Sequence, residues 1–480
     1  MNTRILMNLL GKSVLFYSLA MVLPLAVSFS YGDDDFFALA CGVVIGTAVG
    51  LTLLLSSLKP TGELRHREGF LFVTLLWTLA GLLGSIPFWV SGYIPSYVDA
   101  LFETVSGFTT TGASILTDIE VLPHGLLLWR SLTQWLGGMG IIVLTIAILP
   151  YLGVGGMQIF KAESPGPSID KLKPRITETA KLLWGIYVGF TLVEVVLLMF
   201  GGMNLFEAVC HSFTTMATGG FSPKNASIAA YNSTYIDGVV TVFMLIAGTN
   251  FALHYAALTG NVRRYLASHE FRWYISIYLL GCVFIMISAR GLYATLGEEL
   301  RHVGFQVSSI LTTTGFATHD FAMWPMASQF MLLLLMIIGG CAGSTGGGIK
   351  VLRLGILLKM AHREIKKLVH PQAIFTIKWD TTPVSQETLN SIVGFAVFFA
   401  ALFLGASFIM AMLNLDFTTA ISSVIACMSN IGPGLSTVGP TGNYAHIPDA
   451  GKLVLTFCML VGRLEIYTVF VVLSPVFWRR

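Results

Sequence analysis

Apolar residues run along this chain in long, nearly unbroken stretches, with polar residues gathered in short connections between them. Ten runs stand out, at about 11–30, 36–58, 69–93, 124–152, 182–202, 234–262, 272–290, 323–360, 388–413 and 452–477. Most reach or exceed the roughly 20 residues that a helix needs to cross a bilayer. They are too long for barrel strands and lack the strict alternation of such strands, so the pattern predicts membrane-spanning helices. The eighth run is interrupted by a glycine-rich stretch.

A second pattern lies between the runs. Four short segments, each about ten residues, are apolar at helical spacing and carry small or hydroxyl residues on the other face. They occupy 97–106, 205–213, 300–309 and 417–425. Each leads into a compact knot: Thr109-Thr-Thr-Gly-Ala113, Ala217-Thr-Gly-Gly-Phe221, Thr312-Thr-Thr-Gly-Phe316 and Asn430-Ile-Gly-Pro-Gly434. Aligned on Gly112, Gly220, Gly315 and Gly432, the knots are separated by 108, 95 and 117 residues. The unit is therefore a span, a half-length helix, a knot and a second span, repeated four times. In the second knot Gly219 competes with Gly220 for the aligned position, and the following Phe221, matching Phe316 after Gly315, favours Gly220.

This organisation predicts an all-α polytopic membrane protein with four pseudo-symmetric repeats around a central pore, preceded by two additional spans. The expected units are 1–60 for the N-terminal pair, 61–160, 161–265, 266–375 (with the broken second helix) and 376–480 for the repeats. Composition agrees. Of 480 residues 55% are hydrophobic and only 11% charged, against roughly 25% charged in soluble domains, which excludes a soluble enzyme of this size. The net charge of +3 does not mark a nucleic-acid-binding face. Alternate connections and the two termini hold 22 of the 28 lysines and arginines. By the positive-inside rule both termini are expected in the cytoplasm.

The knots suggest a chemistry. Extended backbone at membrane depth is tolerated where it is buried in protein or lines a cavity. Thr-Thr-Gly backbone can aim carbonyls inward, and the carboxyl ends of four short helices add negative dipole ends. Oxygen ligands without a carboxylate suit a monovalent cation that must bind and leave. The six cysteines sit in apolar stretches without metal-like spacing and read as reduced thiols. Nor do His124, His211, His254 and His446 have ligand spacing, and no catalytic constellation is visible.

Taken together, Asp99-Ala-Leu-Phe-Glu103, the four knots, Gly339-Gly-Cys-Ala-Gly-Ser-Thr-Gly-Gly-Gly348 and Gly462-Arg-Leu-Glu-Ile-Tyr467 resemble the Trk/Ktr/HKT superfamily of potassium transporters. Within it the chain is most similar to the Trk-type membrane subunits, which carry the additional N-terminal pair. The resemblance implies potassium (and rubidium) uptake across the bacterial inner membrane through a filter of one main-chain strand per repeat. Its carbonyls would come from Thr110, Thr111 and Gly112; Thr218, Gly219 and Gly220; Thr313, Thr314 and Gly315; and Asn430, Ile431 and Gly432. It further implies a homodimer, contact with membrane lipid, and control by a cytosolic TrkA-type nucleotide-binding ring. The knots carry only one clearly aligned glycine each and no tyrosine, unlike the strands of tetrameric potassium channels.

Two features are candidate gates. Gly343, Ser344, Thr345, Gly346, Gly347 and Gly348 belong to a stretch too rich in glycine to continue as helix. It lacks Gly-Lys-Ser/Thr, with Ile349 before Lys350, so no nucleotide site is expected in this chain. Arg463, expected near the middle of the last span, costs about 2.5–3.5 kcal/mol on insertion scales unless it faces protein or water. Glu465, two residues on, points to another face. Glu194 is expected to be a helix-packing acid, and the basic run 359–370 a lipid contact or a coupling arm. The rival reading is an alternating-access carrier for a small solute coupled to sodium or protons, which the broken eighth run fits better than the four equivalent knots do.

Overall fold

The structure, a computed structural model, describes residues 2–57, 66–147, 172–380 and 382–479. Six helical stretches among them are long and apolar enough to cross a membrane: Thr3–Tyr31, Phe36–Leu55, Arg67–Val90, Glu178–Phe200, His269–Ser288 and Gln386–Met412. His124–Ala147 is a further long helix. Large apolar side chains such as Phe29, Phe37, Leu280 and Phe408 lie exposed on these helices, as a hydrocarbon surround requires. The fold is overwhelmingly helical, and among the described residues the strand content is one pairing, Lys378–Trp379 with Thr382–Pro383.

The four short helices are present as Tyr97–Phe108, Leu205–Met216, Leu296–Leu311 and Phe417–Met428. Each begins at a residue whose side chain caps it. Ser96, Asn204, Thr295 and Asp416 accept from the backbone N–H of Asp99, Glu207, Glu298 and Thr419, satisfying one of the orphan donors of the first turn. The third helix starts at Leu296, one turn earlier than its apolar pattern suggested, because Thr295 supplies the cap.

Two expected spans are not continuous. The run 234–262 divides into Thr234–Ala247 and Phe251–Leu258, bent by 101°. Asn250 caps the second piece by accepting from Ala252 N–H, and the Phe251 N–H donates to the Gly343 carbonyl in place of a helical partner. The run 452–477 divides into Asp449–Arg463 and Tyr467–Leu473, bent by 115°. Here Glu465 takes φ +60° and reaches Arg353 and Lys350. Arg463 is consequently the last residue of a helix and not a mid-span residue. The eighth run is interrupted as expected, with Met326–Ile338 before the glycine-rich stretch and Val351–Val369 after it.

The N-terminal pair packs through small residues. A Cβ built on Gly46 or Gly50 of the helix Phe36–Leu55 would meet Ser18 or Leu15 of Thr3–Ala20, so the two backbones approach closely. The expected junctions near 60 and 160, and most of the basic connections 59–67 and 161–181, lie outside the described residues. The junction near 265 falls in the short helix Arg263–Ala267, and that near 375 falls just before the strand pair.

Candidate functional site

The four knots have one backbone conformation. Thr110, Thr218, Thr313 and Asn430 take φ of +53°, +54°, +61° and +56°. Two residues on, Gly112, Gly220, Gly315 and Gly432 take +80°, +76°, +84° and +95°. The second knot therefore aligns on Gly220. Left-handed φ is rare outside glycine. Here it is held by helix-end hydrogen bonds: Thr111 N–H donates to Ser106 carbonyl, Gly219 to Thr214 and Thr314 to Ser309, each at 2.8 Å, and Ile431 to Ala426 at 2.8 Å. The knot donors are thus turned back onto their own helices.

The acceptors are left over. Among the described residues, hydrogen bonds reach the carbonyls of Gly219, from Gln134 Nε2 at 2.7 Å, and Gly432, from the Tyr444 hydroxyl at 2.7 Å. The carbonyls of Thr110, Thr111, Gly112, Thr218, Gly220, Thr313, Thr314, Gly315, Asn430 and Ile431 carry none. Thr110, Thr111, Thr218, Thr313, Thr314, Asn430 and Ile431 are fully buried. Buried carbonyls without partners are uncommon and call for an explanation.

The knots also close a ring. A Cβ on Gly112 would strike the Gly219 carbonyl oxygen, one on Gly220 that of Thr314, one on Gly315 that of Ile431, and one on Gly432 that of Thr111. Each knot thus abuts the next in chain order, and the fourth returns to the first. Asn430 Nδ2 donates to Thr111 Oγ1 at 2.9 Å across that last seam. Within the first and third knots, Thr109 and Thr111, and Thr312 and Thr314, pair their hydroxyls at 2.8 Å.

Polar side chains on the short helices hold the limbs beyond the glycines. Glu103 accepts from Ser114 Oγ, Ile115 N–H and Arg130 Nε, the last at 2.6 Å. Arg130 also donates to the Ser222 carbonyl at 2.9 Å and lies 3.7 Å above the Phe221 ring. His211 bridges the Glu207 carbonyl and Ser222 Oγ, Gln306 donates to the His319 carbonyl, and Ser422 accepts from Leu435 N–H. In the sequence Glu103 enters only as the end of the motif Asp99-Ala-Leu-Phe-Glu103, and Arg130 and Gln134 carry no assigned role. An arginine and a glutamine one turn apart in an apolar run are the signal the sequence offers.

The glycine-rich stretch sits against the helix ends that carry the knots. Thr345 Oγ1 lies 3.1 Å from the Met216 and Ala247 carbonyls, and Gly347 N–H donates to Thr313 Oγ1 at 2.7 Å. A Cβ on Gly347 would strike the Ser429 carbonyl, and one on Gly346 would press on that of Thr312. Gly343 and Gly348 take φ +75° and +73°, and the Ser344 hydroxyl closes a turn on the Cys341 carbonyl. Arg463 reaches this stretch directly: Nη1 donates to the Thr345 carbonyl at 2.7 Å and Nη2 to that of Gly137 at 3.4 Å. Charged side chains pin its flanks. Glu270 accepts from Ala342 N–H at 2.6 Å, and Glu465 pairs with Arg353 at 2.5 Å and Lys350 at 3.7 Å. Glu194 is buried in Leu172–Phe200, apart from this cluster's ion pairs.

The family profile described as "TrkH: Cation transport protein" matches residues 37–479. The chain is 41% identical to the Trk system potassium uptake protein TrkH of Salmonella typhimurium over 485 residues, covering all of both chains. It is 35% identical to the Trk system potassium uptake protein TrkG of Escherichia coli over 490 residues, again with full coverage. Its fold matches the crystal structure of the potassium transporter TrkH from Vibrio parahaemolyticus with a TM-score of 0.92 and 37% identity, covering 100% of both chains.

Proposed function

The chain belongs to the TrkH family of cation transport proteins, and on that premise we propose that it takes up potassium, and rubidium, through the ring of four knots. The observation that carries this reading is the set of buried, unpartnered carbonyls on a closed ring. Such oxygens can replace the hydration shell of a monovalent cation, and their number and dipole strength govern which ion is preferred. The filter carbonyls are those of Thr110 to Gly112, Thr218 to Gly220, Thr313 to Gly315 and Asn430 to Gly432.

The glycine-rich stretch Gly343–Gly348 and Arg463 act as the gate on the cytoplasmic side of the filter. Support comes from their seat against Thr313 and the helix ends behind the knots, and from the hydrogen bond between them. A cation approaching a buried guanidinium meets like-charge repulsion in a low-dielectric setting. The helix Val351–Val369 continues from this stretch and carries Lys359, Arg363, Lys366 and Lys367. It offers a lever by which a cytosolic nucleotide-binding partner of the TrkA type would move the gate. The protein works as a homodimer in the bacterial inner membrane with both termini in the cytoplasm.

Flux in liposomes that hold only this purified chain tests the reading, with potassium, rubidium and sodium compared under an imposed potential. Potassium and rubidium flux well above sodium, without ATP or organic solute, is expected. Equal flux of all three ions, or flux only with an organic cosolute, would overturn it.

A further inference from the structure

Gln134 stands apart from the other polar groups around the ring because it grips a knot by the main chain on both sides of the aligned glycine. It lies on the helix His124–Ala147 of the first repeat and is fully buried. Its Nε2 donates to the Gly219 carbonyl at 2.7 Å, and its Oε1 accepts from Phe221 N–H at 3.1 Å. The amide orientation follows from those partners, since a flipped amide would set donor against donor at Phe221. Gln134 thus spans Gly220 in the second knot while belonging to the first repeat.

The same side chain accounts for the irregular glycine of the second knot. The residue before the aligned glycine is Thr111, Thr314 and Ile431 in the other repeats, but Gly219 here. Gly219 does not share the left-handed φ of Gly220. Its lack of a side chain has another cause: a Cβ built there would strike the Gln134 amide. In the fourth repeat no such amide is present. Gly137 and Gly462 both pack on the carbonyl of a short helix's end, Phe108 and Met428. That match aligns Gln134 with Met459, an apolar residue.

Resting on the filter reading above, we infer that Gln134 is the positioning residue that sets the ion preference of the ring at the level of Thr111, Gly219, Thr314 and Ile431. One of those four carbonyls shares its electron density with an amide hydrogen, and the other three do not. The site at that level therefore has one oxygen of weaker field, held fixed by that hydrogen bond. Weaker oxygen fields disfavour the smaller, more strongly hydrated ion, so the amide biases this level against sodium.

Two sets of variants test this in liposomes, read as permeability ratios from reversal potentials. Gln134→Met keeps about the same volume and, having no polar hydrogen, removes the donor to Gly219. The potassium-to-sodium ratio is expected to fall by about tenfold, the change that loss of one hydrogen bond of ordinary to charged strength produces. Gly219→Thr rewrites the second knot as Thr-Thr-Gly, and with Gln134 in place it is expected to lower the ratio. Adding Gln134→Ala makes room for the new side chain and is expected to recover part of the loss. Gly315→Ser runs alongside as the check on the filter itself. An altered ratio for Gly315→Ser with none for Gln134→Met, or a double variant no better than Gly219→Thr alone, overturns the role of Gln134 and leaves the filter standing. Unaltered ratios for all the variants would overturn both.

Discussion

Arg463 concentrates the residue-scale argument. An arginine buried at membrane depth is costly unless its donors are used; here Nη1 and Nη2 go to two main-chain carbonyls, one of them Thr345 in the glycine-rich stretch, while Nε has no partner among the described residues. Removing the side chain takes away both a positive charge and the bond that holds the stretch. Arg463→Ala is therefore expected to raise potassium flux in a correctly inserted protein, and an unchanged flux would remove Arg463 from the gate. Gly315 makes the complementary case. Its φ of +84° and its contact with the Ile431 carbonyl leave no space for a side chain. Gly315→Ser is expected to weaken discrimination between potassium and sodium, as permeability ratios would show. The threonine-glycine spelling made such positions legible in the sequence. The partners behind them were not legible, because Glu103 with Arg130 is a contact between two helices and leaves no local spacing to read.

Among the elements, what could be read was what hydrophobic period and glycine density dictate. The four short helices follow from apolar spacing and the broken eighth run from a density of glycine that no helix sustains, whereas the caps Ser96, Asn204, Thr295 and Asp416 fix where the short helices start, which spacing alone set one turn late in the third. The two bent helices escaped because Gly248-Thr-Asn250 and Arg463-Leu-Glu465 are interruptions of only three residues inside long apolar runs, too short to end a run by hydropathy. What opens them is tertiary: the Gly343 carbonyl takes the N–H of Phe251, and Arg353 and Lys350 draw Glu465 aside. The glycine-rich stretch thus shapes the helices around it as well as closing the path. Its own seat depends on Gly347, where a methyl group would collide with the Ser429 carbonyl. Gly347→Ala is accordingly expected to unseat the stretch and raise basal flux, with the permeability ratio of the filter retained. A flux equal to that of the parent protein would argue against closure by this element.

For the whole molecule, the buried polar groups are concentrated around the knots and the glycine-rich stretch, while the outer helices pack through apolar and small residues. The N-terminal pair is an instance. Its close contact rests on Gly46 against Ser18 and Gly50 against Leu15. Gly46→Leu is expected to lower the unfolding temperature in detergent, since overpacking typically costs about 1–3 kcal/mol, and to leave the potassium-to-sodium ratio unaltered. A changed ratio would mean that the pair shapes the filter. The helical membrane fold was legible from composition and run length. The bends and the side chains that brace the ring were not, since each depends on a partner remote in sequence.

The four knots sit on one continuous chain, and each differs from the others in sequence. In a channel assembled from four identical subunits, a substitution in the filter is applied four times at once. Here it falls once. A single codon change would redraw one wall of the passage and spare the other three, so ion preference can be adjusted in small, unequal steps that a strictly symmetric assembly cannot make.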